Sequence, residues 1–553
     1  MKKNILSTAG VISACILLSR ILGFLRDVLC TGFFGPVWDA FIFAFQIPNL
    51  FRRLFGEGAL SAAFIPTLSH YLNQKPFAEA LRFINIIITL LFGLLSVLAG
   101  LVILFTFVLP WVAPDFVQAS KVFSPLFLKL LRIMIPYLPL ICLVALLQAV
   151  LNSFKHFLMP ALASVVLNIC WIGGFIAAGF INGSAESQPL QDKLRPDYFG
   201  DEQKVMIIAW SVLIGGILEV LIQLPPLWKR KIIYKPEVSF RHPGLNEVLR
   251  LMGPTIIGLA VFQVNLFIDN VIALWLVPEP GAVSALYYGN RLMQFPFSLI
   301  GISLATAVFP FLADYVAKND IAGMFGELNK ALRIALFVGL PASIGLMVLA
   351  EPVIHWSFYS IPASLFHIKA FTLDAVSRTT FVLFFYALGI WSYGAVQITN
   401  RAFYSLKDMV TPVKVGVGMV IGNFILNIIL VWPLKESGIA LATTISSILN
   451  LMILLYILGK KSRSINAESP ASMLAEFVKG LTLPLFCSLL MGAVCYLGYR
   501  FIPQAPNLLL ETVRVLGLVV IGIGAYLGFS KVFQPTLLDE VIHPKKDTAT
   551  TNN

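Results

Sequence analysis

Long apolar runs alternate with short polar connections along the whole of this chain. A run of about 20 apolar residues is long enough to cross a bilayer as a helix. The pattern therefore predicts about fourteen membrane-spanning helices. They lie at 5–33, 40–71, 83–112, 126–151, 158–181, 205–225, 253–277, 284–315, 331–349, 380–403, 410–432, 439–458, 477–499 and 513–529. Pro48 and Pro296 fall inside two of the longest runs, which predicts helices interrupted beside protein or a wet cavity.

Composition supports an all-α polytopic membrane protein. Of the 553 residues, 58% are hydrophobic and 12% are charged, whereas soluble domains carry about 25% charged residues. The net charge is +12, but the basic residues are scattered between the apolar runs and form no single stripe. This distribution argues against nucleic-acid binding.

The basic residues of the connections fall mostly on one side of the predicted membrane. An excess of Lys and Arg marks cytoplasmic loops, so we expect both termini to be cytoplasmic. The connections on that side are represented by Lys3, Lys75, Lys155, Lys231, Lys318, Lys407, Lys460 and Lys545.

The first half of the chain is repeated in the second. Positions 39–71 match positions 284–315, and NSFKHFLMP around Lys155 matches YSLKDMVTP around Lys407. Both matches keep the same sidedness, which predicts two parallel six-helix lobes with a substrate cavity between them. The predicted segments are an N-lobe at 1–228, a basic connection at 229–252, a C-lobe at 253–460, two appended helices at 461–530 and a cytoplasmic tail at 531–553.

The first predicted hairpin carries many charges for a membrane segment. They are Arg20, Arg26, Asp27, Asp39, Arg52, Arg53 and Glu57. A charge at the bilayer centre costs about 2.5–3.5 kcal/mol on the insertion scale, so such residues usually face protein or a wet cavity. The hairpin therefore predicts a polar chamber that binds an anion.

Helical spacing suggests which of these charges pair. Arg20 and Asp27 are two turns apart on one face, which leaves Arg26 pointing elsewhere. Arg53 and Glu57 are at pairing distance, which leaves Arg52 available. The alternative is that salt bridges or snorkelling occupy every arginine.

Arg291 lies at the start of the repeated hairpin in the second half. No acidic residue is at helical pairing distance from it in the sequence. The candidate cations are arginines, and a guanidinium binds phosphate oxygens bidentately and stays charged when desolvated. Several arginines in one chamber favour a pyrophosphate ligand.

A further polar set could bind a hard cation. It consists of Asp269, Asn423, Asn427 and Thr443, with the two asparagines one turn apart. Oxygen ligands of this kind suit such an ion. Hydrogen bonding between helices is the alternative, and the sequence favours it.

The sequence offers no catalytic constellation, so we expect a protein that is not an enzyme. No P-loop and no H-E-x-x-H motif is present. Asp39 and Glu57 could form an acid pair, but nearby arginines would lower their pKa values and spoil a general acid. A glycosyltransferase would have to use the outer loop 182–204, whose acids fit a solvated loop better.

Three segments resemble the MurJ (MviN) family of lipid II flippases. They are SRILGFLRD at 19–27, WDAF at 38–41 and IPNLFRRLFGEGALSAAFIP at 47–66, and YYGNRLMQFP at 287–296 adds to them. The resemblance implies the fold of the multidrug/oligosaccharidyl-lipid/polysaccharide exporter superfamily, with two six-helix lobes plus two C-terminal helices around a central cavity.

The resemblance also implies a function and a set of residues. It implies flipping of lipid II to the outer leaflet, in the bacterial inner membrane, by a monomer that works with other cell-wall synthesis proteins. The matching cavity residues are Arg20, Arg26, Asp27, Asp39, Arg52 and Arg291, supported by Arg53, Glu57 and Asn49. The last two helices would form a groove for the polyprenyl tail.

The chain departs from the family pattern at two positions. Asp269, Asn423, Asn427 and Thr443 resemble the sodium site of some members, but Asn427 replaces an acid, which weakens sodium coupling and leaves membrane-potential coupling as the alternative. Asn290 also stands where relatives have an acid.

The sequence predicts alternating access, in which Arg26, Arg52 and Arg291 clamp the pyrophosphate. Two alternatives of the same superfamily stay open. One is a flippase for another polyprenyl-linked oligosaccharide, and the other is a drug or cation exporter, although an arginine-rich chamber repels cations.

Overall fold

The computed structural model describes residues 2–54, 60–180, 202–368, 370–466, 470–502 and 507–542. Every regular element within these ranges is helical, which confirms the predicted fold class. Within the same ranges, nine helices are long and apolar enough to cross a membrane. The predicted number of spans, about fourteen, is not confirmed, because several proposed spans consist of shorter consecutive helices.

The structure has 21 α-helices in the described residues. The first ten are α1 (Lys2–Cys30), α2 (Pro36–Phe51), α3 (Leu60–Gln74), α4 (Phe77–Val112), α5 (Pro114–Ala119), α6 (Pro125–Met134), α7 (Tyr137–Ser153), α8 (Leu158–Phe180), α9 (Glu202–Lys229) and α10 (Pro243–Leu276). The rest are α11 (Ala282–Phe297), α12 (Ser303–Ala317), α13 (Ile321–Val348), α14 (Ala350–Ile354), α15 (Ile361–Phe366), α16 (Leu373–Leu388), α17 (Ile390–Ser405), α18 (Val410–Asn466), α19 (Pro470–Phe501), α20 (Leu508–Phe533) and α21 (Pro535–Ile542).

The chain divides into two compact units. The first comprises Met1–Ser284 and Leu365–Phe371, and the second comprises Ala285–Ser364 and Thr372–Asn553. The domain boundaries expected from the sequence stay a prediction.

One apolar core of the first unit lies among α3, α4, α7 and the segment around 227–252. Phe64, Phe83, Leu146 and Val248 are buried there. Elsewhere in this unit, α8 and α9 pack closely because Gly174 and Gly215 face the partner helix, where any added side chain would overlap it. Small residues of this kind let membrane helices approach one another.

The second unit is built around α13. Leu328 and Leu332 on α13 pack with residues of α12, α17, α18 and α19. The two appended helices, α19 and α20, also pack against α13. The hydroxyl of Tyr526 on α20 donates to the carbonyl oxygen of Phe337 at 2.6 Å, which ties the appended pair to the unit.

Both proline-containing runs are interrupted, as the sequence predicted. The α2 helix continues past Pro48 to Phe51 and is followed by a π turn at 52–54. The α11 helix continues past Pro296 and is followed by a π turn at Ser298–Ile302. The break thus follows each proline, because a proline lacks the N–H that would bond to the preceding turn and a wider turn accommodates the mismatch.

The repeated motif around Lys155 and Lys407 has the same local structure in both units. Each lysine follows the end of a helix and adopts a left-handed conformation, with φ of 57° and 60°. In both turns the next residue donates its N–H to the last turn of the preceding helix at 2.9 Å. This geometry ends a helix by satisfying carbonyl groups that would otherwise lack donors.

The α18 helix contains a break at Lys435, where φ is 53° and ψ is −137°. The chain resumes its helical course immediately afterwards, and Gly438 lies against the backbone of Leu430. A Cβ atom at Gly438 would overlap the Leu430 carbonyl group, so the kink requires a glycine there.

We therefore expect Gly438→Ala to lower the free energy of unfolding by about 1–3 kcal/mol, the usual cost of overpacking. Gly418→Ala is the matched control, because it lies on the same α18 helix and a Cβ there meets nothing within 4 Å. Thermal unfolding in detergent measures the effect. Equal melting temperatures for the two variants would contradict this account of the kink.

Candidate functional site

The Arg26 guanidinium lies inside the first unit, with the side chain 11% exposed. Its Nε and Nη2 donate to Asp27 Oδ1 at 3.1 and 2.7 Å, and Nη1 donates to Asn168 Oδ1 at 3.1 Å. The guanidinium carbon lies 4.4 Å from the ring centre of Trp171. Together, the carboxylate, the amide and the aromatic face keep this cation charged and oriented.

Asn168 is itself held in place. Its Nδ2 donates to the carbonyl oxygens of Ser19 and Ser164 at 3.1 and 3.0 Å. The bond to Ser164 lies within α8, whereas the bond to Ser19 joins α8 to α1. Both leave the Oδ1 atom to accept from Arg26, so Asn168 and Asp27 together orient the Arg26 guanidinium.

The predicted pairing of charged side chains on α1 is wrong in one respect. Arg26 does not point away from Asp27 but forms an ion pair with it. Adjacent residues of a helix point in different directions, yet the long arginine side chain reaches back to the short aspartate. Arg20 is exposed beside the exposed apolar side chains of Leu17 and Ile21.

A row of aromatic rings runs through the first unit from the Arg26 site. The ring centres of Trp171 and Phe45 are 5.0 Å apart, and those of Phe45 and Tyr137 are 6.3 Å apart. Trp171 and Tyr137 are fully buried. The row ends at a second polar group, which contains Arg52.

Arg52 lies at the π turn after α2 and is half-buried. Its Nε donates to Asn49 Oδ1 at 2.8 Å, so Asn49 contacts Arg52 as its supporting role would require. Glu219 on α9 lies within electrostatic range of the Arg52 guanidinium. Arg53 is half-buried, but its predicted partner Glu57 lies outside the described residues.

Asp39 caps the start of α11. The buried carboxylate accepts the backbone N–H groups of Gly281 and Ser284, each at 2.7 Å, and the Ser284 hydroxyl at 2.5 Å. A negative charge at a helix N-terminus also interacts favourably with the helix dipole. Asp39 thus stabilises the start of α11 by accepting hydrogen bonds from its backbone.

Arg291 is exposed on α11 and belongs to the second unit. The preceding Asn290 accepts a hydrogen bond from Gln294 on the same helix. Arg26 and Arg52 belong to the first unit. The meeting of all three arginines in one chamber stays a prediction.

Three of the four candidate cation ligands are hydrogen-bonded to one another in the second unit. Asn427 Nδ2 donates to Asn423 Oδ1 at 2.9 Å, and Asn423 Nδ2 donates to Thr443 Oγ1 at 3.4 Å. The fourth, Asp269, belongs to the first unit and accepts from Asn265 at 3.3 Å. Hydrogen bonds between polar side chains are common in membrane helices, and a cation site made of all four residues stays a prediction.

Most of the acids considered for a catalytic role lie outside the described residues, namely Glu57, Asp192, Asp197 and Asp201. Of the others, Asp39 caps α11 and Glu202 pairs with Lys129 at 3.3 Å. Among the described residues, no three His, Cys, Asp or Glu side chains are grouped so that they could hold a metal ion.

Comparison with known proteins decides the family. A family model described as "Lipid II flippase MurJ" matches residues 33–513. The chain belongs to the MurJ family. The resemblance inferred from the opening hairpin is therefore confirmed, and the chain is a multi-pass membrane protein of a transporter family.

Several MurJ proteins match over most of their length. A probable lipid II flippase MurJ of Buchnera aphidicola subsp. Acyrthosiphon pisum is 34% identical over 461 residues, covering 82% of this chain and 83% of its own. The lipid II flippase MurJ of Burkholderia cenocepacia is 32% identical over 478 residues, covering 84% and 86%.

Solved structures agree with the MurJ assignment. A lipid II flippase MurJ in an inward closed conformation matches with a TM-score of 0.70 and 26% identity, covering 95% of this chain and 99% of that one. An inward-facing multidrug transporter of the MATE family matches with a TM-score of 0.59 and 14% identity, covering 81% and 97%. The second likeness shows the fold alone.

Sequence reasoning missed two polar residues that lie near Arg26 and Arg52. Asn168 and Glu219 lie on α8 and α9, far along the chain from Arg26 and Arg52. Glu219 could have been noticed, because an acid inside an apolar helix is unusual. Asn168 gave no comparable signal, since single asparagines are common in membrane helices.

The cap geometry predicts that Asp39→Asn destabilises the protein. An asparagine can accept only through its oxygen, and its amide would then face one of the two backbone N–H donors. We expect the free energy of unfolding to fall by about 2 kcal/mol, from the lost charge-assisted bond and the lost dipole interaction.

The control is Asp115→Asn, which changes an exposed acid in the first turn of α5. Thermal unfolding of both variants in detergent provides the comparison. An Asp39→Asn protein as stable as the wild type would show that the buried carboxylate does not hold the start of α11.

Proposed function

We propose that this protein moves lipid II from the cytoplasmic to the outer leaflet of the bacterial inner membrane. Relatives that are named lipid II flippases support this substrate. The structural observation that carries the proposal is the pair of guanidinium sites, at Arg26 and Arg52, within the first unit. Lipid II presents a pyrophosphate, and arginine forks bind phosphate oxygens well.

In this proposal Arg26, Arg52 and Arg291 bind the pyrophosphate together. Asp27 and Asn168 orient the Arg26 guanidinium before the substrate arrives, which lowers the entropic cost of binding. The phosphate oxygens then compete with the Asp27 carboxylate for the same cation. This competition lowers the affinity for the pyrophosphate, so that the substrate can be released.

The proposed mechanism is alternating access by a functional monomer. Substrate drives the change only if it binds the two conformations with different affinity. The polyprenyl tail would stay in lipid beside α19 and α20, with both termini in the cytoplasm. Basic connections around Lys155, Lys231 and Lys407 support that topology.

A cation exporter is disfavoured as the alternative, although the fold resembles a MATE transporter. The positive charges of Arg26 and Arg52 in the first unit would repel a cationic substrate. Flux of a cationic dye in the same vesicles distinguishes the two functions.

The Arg26 geometry predicts that Arg26→Lys impairs flipping. A lysine keeps the charge but cannot bond Asp27 and Asn168 in the same arrangement. We expect the flipping rate of fluorescent lipid II in reconstituted vesicles to fall at least about tenfold, which corresponds to about 1.4 kcal/mol. If Arg26→Lys flipped lipid II at the wild-type rate, the proposal that a guanidinium recognises the pyrophosphate would lose its support.

Arg132→Lys is the matched control. Arg132 also donates through its guanidinium, to Thr106, and it lies 3.9 Å from the ring centre of Phe107. It is not part of the proposed site, so its substitution should leave the flipping rate unchanged when folded protein is compared.

A further prediction concerns the driving force of flipping. Because Asn427 stands where the resemblance implies an acid in sodium-binding members, we expect replacement of Na⁺ by K⁺ to leave the flipping rate unchanged. An inside-negative potential should accelerate outward flipping, since moving one charge through 100 mV is worth about 2.3 kcal/mol. A rate that depends on Na⁺ but not on the potential would reverse this assignment.

A further inference from the structure

Glu219 is a carboxyl group buried within the apolar α9 helix, with only 3% of the residue exposed. An ionisable side chain inside a membrane helix is expensive to keep and commonly marks an ion or proton pathway. None of the roles described above uses this carboxyl group.

A hydrogen bond fixes the position of the Glu219 carboxyl group. The Tyr137 hydroxyl donates to Glu219 Oε2 at 3.3 Å. The Tyr137 ring lies directly against Gly216 on the same face of α9, where an added Cβ would overlap the ring. The glycine therefore lets the ring approach closely enough for its hydroxyl to reach the carboxyl group.

Gln223 lies one turn beyond Glu219 on α9 and is completely buried. Its Nε2 donates to the Glu219 carbonyl oxygen at 3.0 Å. Its Oε1 accepts no hydrogen bond within the described part of the chain. A protonated Glu219 carboxyl would supply an O–H donor, whereas an ionised one supplies only acceptors.

The charged and titratable groups around Glu219 come from the helices packed on α9. They are Arg52 after α2, Tyr137 on α7 and Cys170 on α8. The α6 helix also packs on α9, but its Lys129 pairs with Glu202 near the start of α9 and its Arg132 donates to Thr106. Among the described residues, Arg52 is the cation that acts electrostatically on Glu219.

We propose that Glu219 binds a proton, and that this proton is coupled to binding of an anion at Arg52. The proposal rests on the proposed function, because the anion is taken to be the pyrophosphate of lipid II. Ionised Glu219 offsets part of the positive charge of Arg52. Protonated Glu219 does not, so Arg52 attracts a phosphate more strongly.

Two opposing effects act on proton binding by Glu219. Burial disfavours the ionised carboxylate, whereas a nearby guanidinium favours it. An arriving phosphate reduces the effect of that guanidinium and so favours proton uptake. Because coupling between two binding events is reciprocal, lipid II binding and proton binding strengthen each other by the same factor.

The test is lipid II binding to the full-length protein in nanodiscs between pH 5.5 and 9. A pyrophosphate diester and the arginines keep their charge over this range, so a change in affinity reports a titrating protein group. We expect wild-type affinity to fall about 5- to 150-fold as pH rises, the usual range for coupled sites. Glu219→Gln should bind tightly and equally at every pH.

Glu202→Gln is the matched control on the same helix, and it should keep the wild-type pH dependence because Glu202 is an exposed residue paired with Lys129. Unchanged pH dependence in Glu219→Gln, or pH-independent binding by the wild type, would overturn the proton site while leaving the proposed function intact. Absence of lipid II binding at every pH would instead overturn the proposed function.

Calorimetry of the wild type provides a measurement that requires no variant to fold. Lipid II binding is measured in two buffers of different ionisation enthalpy across the same pH range. Net proton uptake on binding supports the proposal, and zero uptake throughout the range overturns it.

Discussion

The structure depends on one constraint, which is that a charge inside the membrane must be stabilised by the protein itself. Arg26 meets Asp27 and Asn168, and Arg378 meets Glu436 at 2.6 Å. Each pair spares the chain the cost of leaving a cation in hydrocarbon. A charge that is costly to keep in a membrane helix commonly marks a functional site, which is the basis on which we propose anion binding at Arg26.

Much of the architecture could be read from the sequence because it depends on local patterns. Apolar run lengths gave the all-helical membrane fold, and Pro48 and Pro296 marked the interrupted helices. The match between the motifs at Lys155 and Lys407 predicted a repeat, and their backbone conformations agree.

The polar partners of the site were harder to anticipate because they depend on tertiary packing. A helical projection separated Arg26 from Asp27, but it ignored how far an arginine side chain can reach. Asn168 and Glu219 come from helices remote in sequence, and Tyr137 reaches Glu219 only because Gly216 lacks a side chain. Such contacts require the close approach of helices, which no single segment specifies.

The left-handed lysines have a consequence for how the chain could evolve. At Lys155, Lys231 and Lys407 the backbone adopts a conformation that glycine would occupy with less strain. Glycine, however, would remove a positive charge from loops that we place in the cytoplasm. At these positions the left-handed backbone favours glycine, whereas the topology that we propose favours a positively charged side chain, and the chain has lysine.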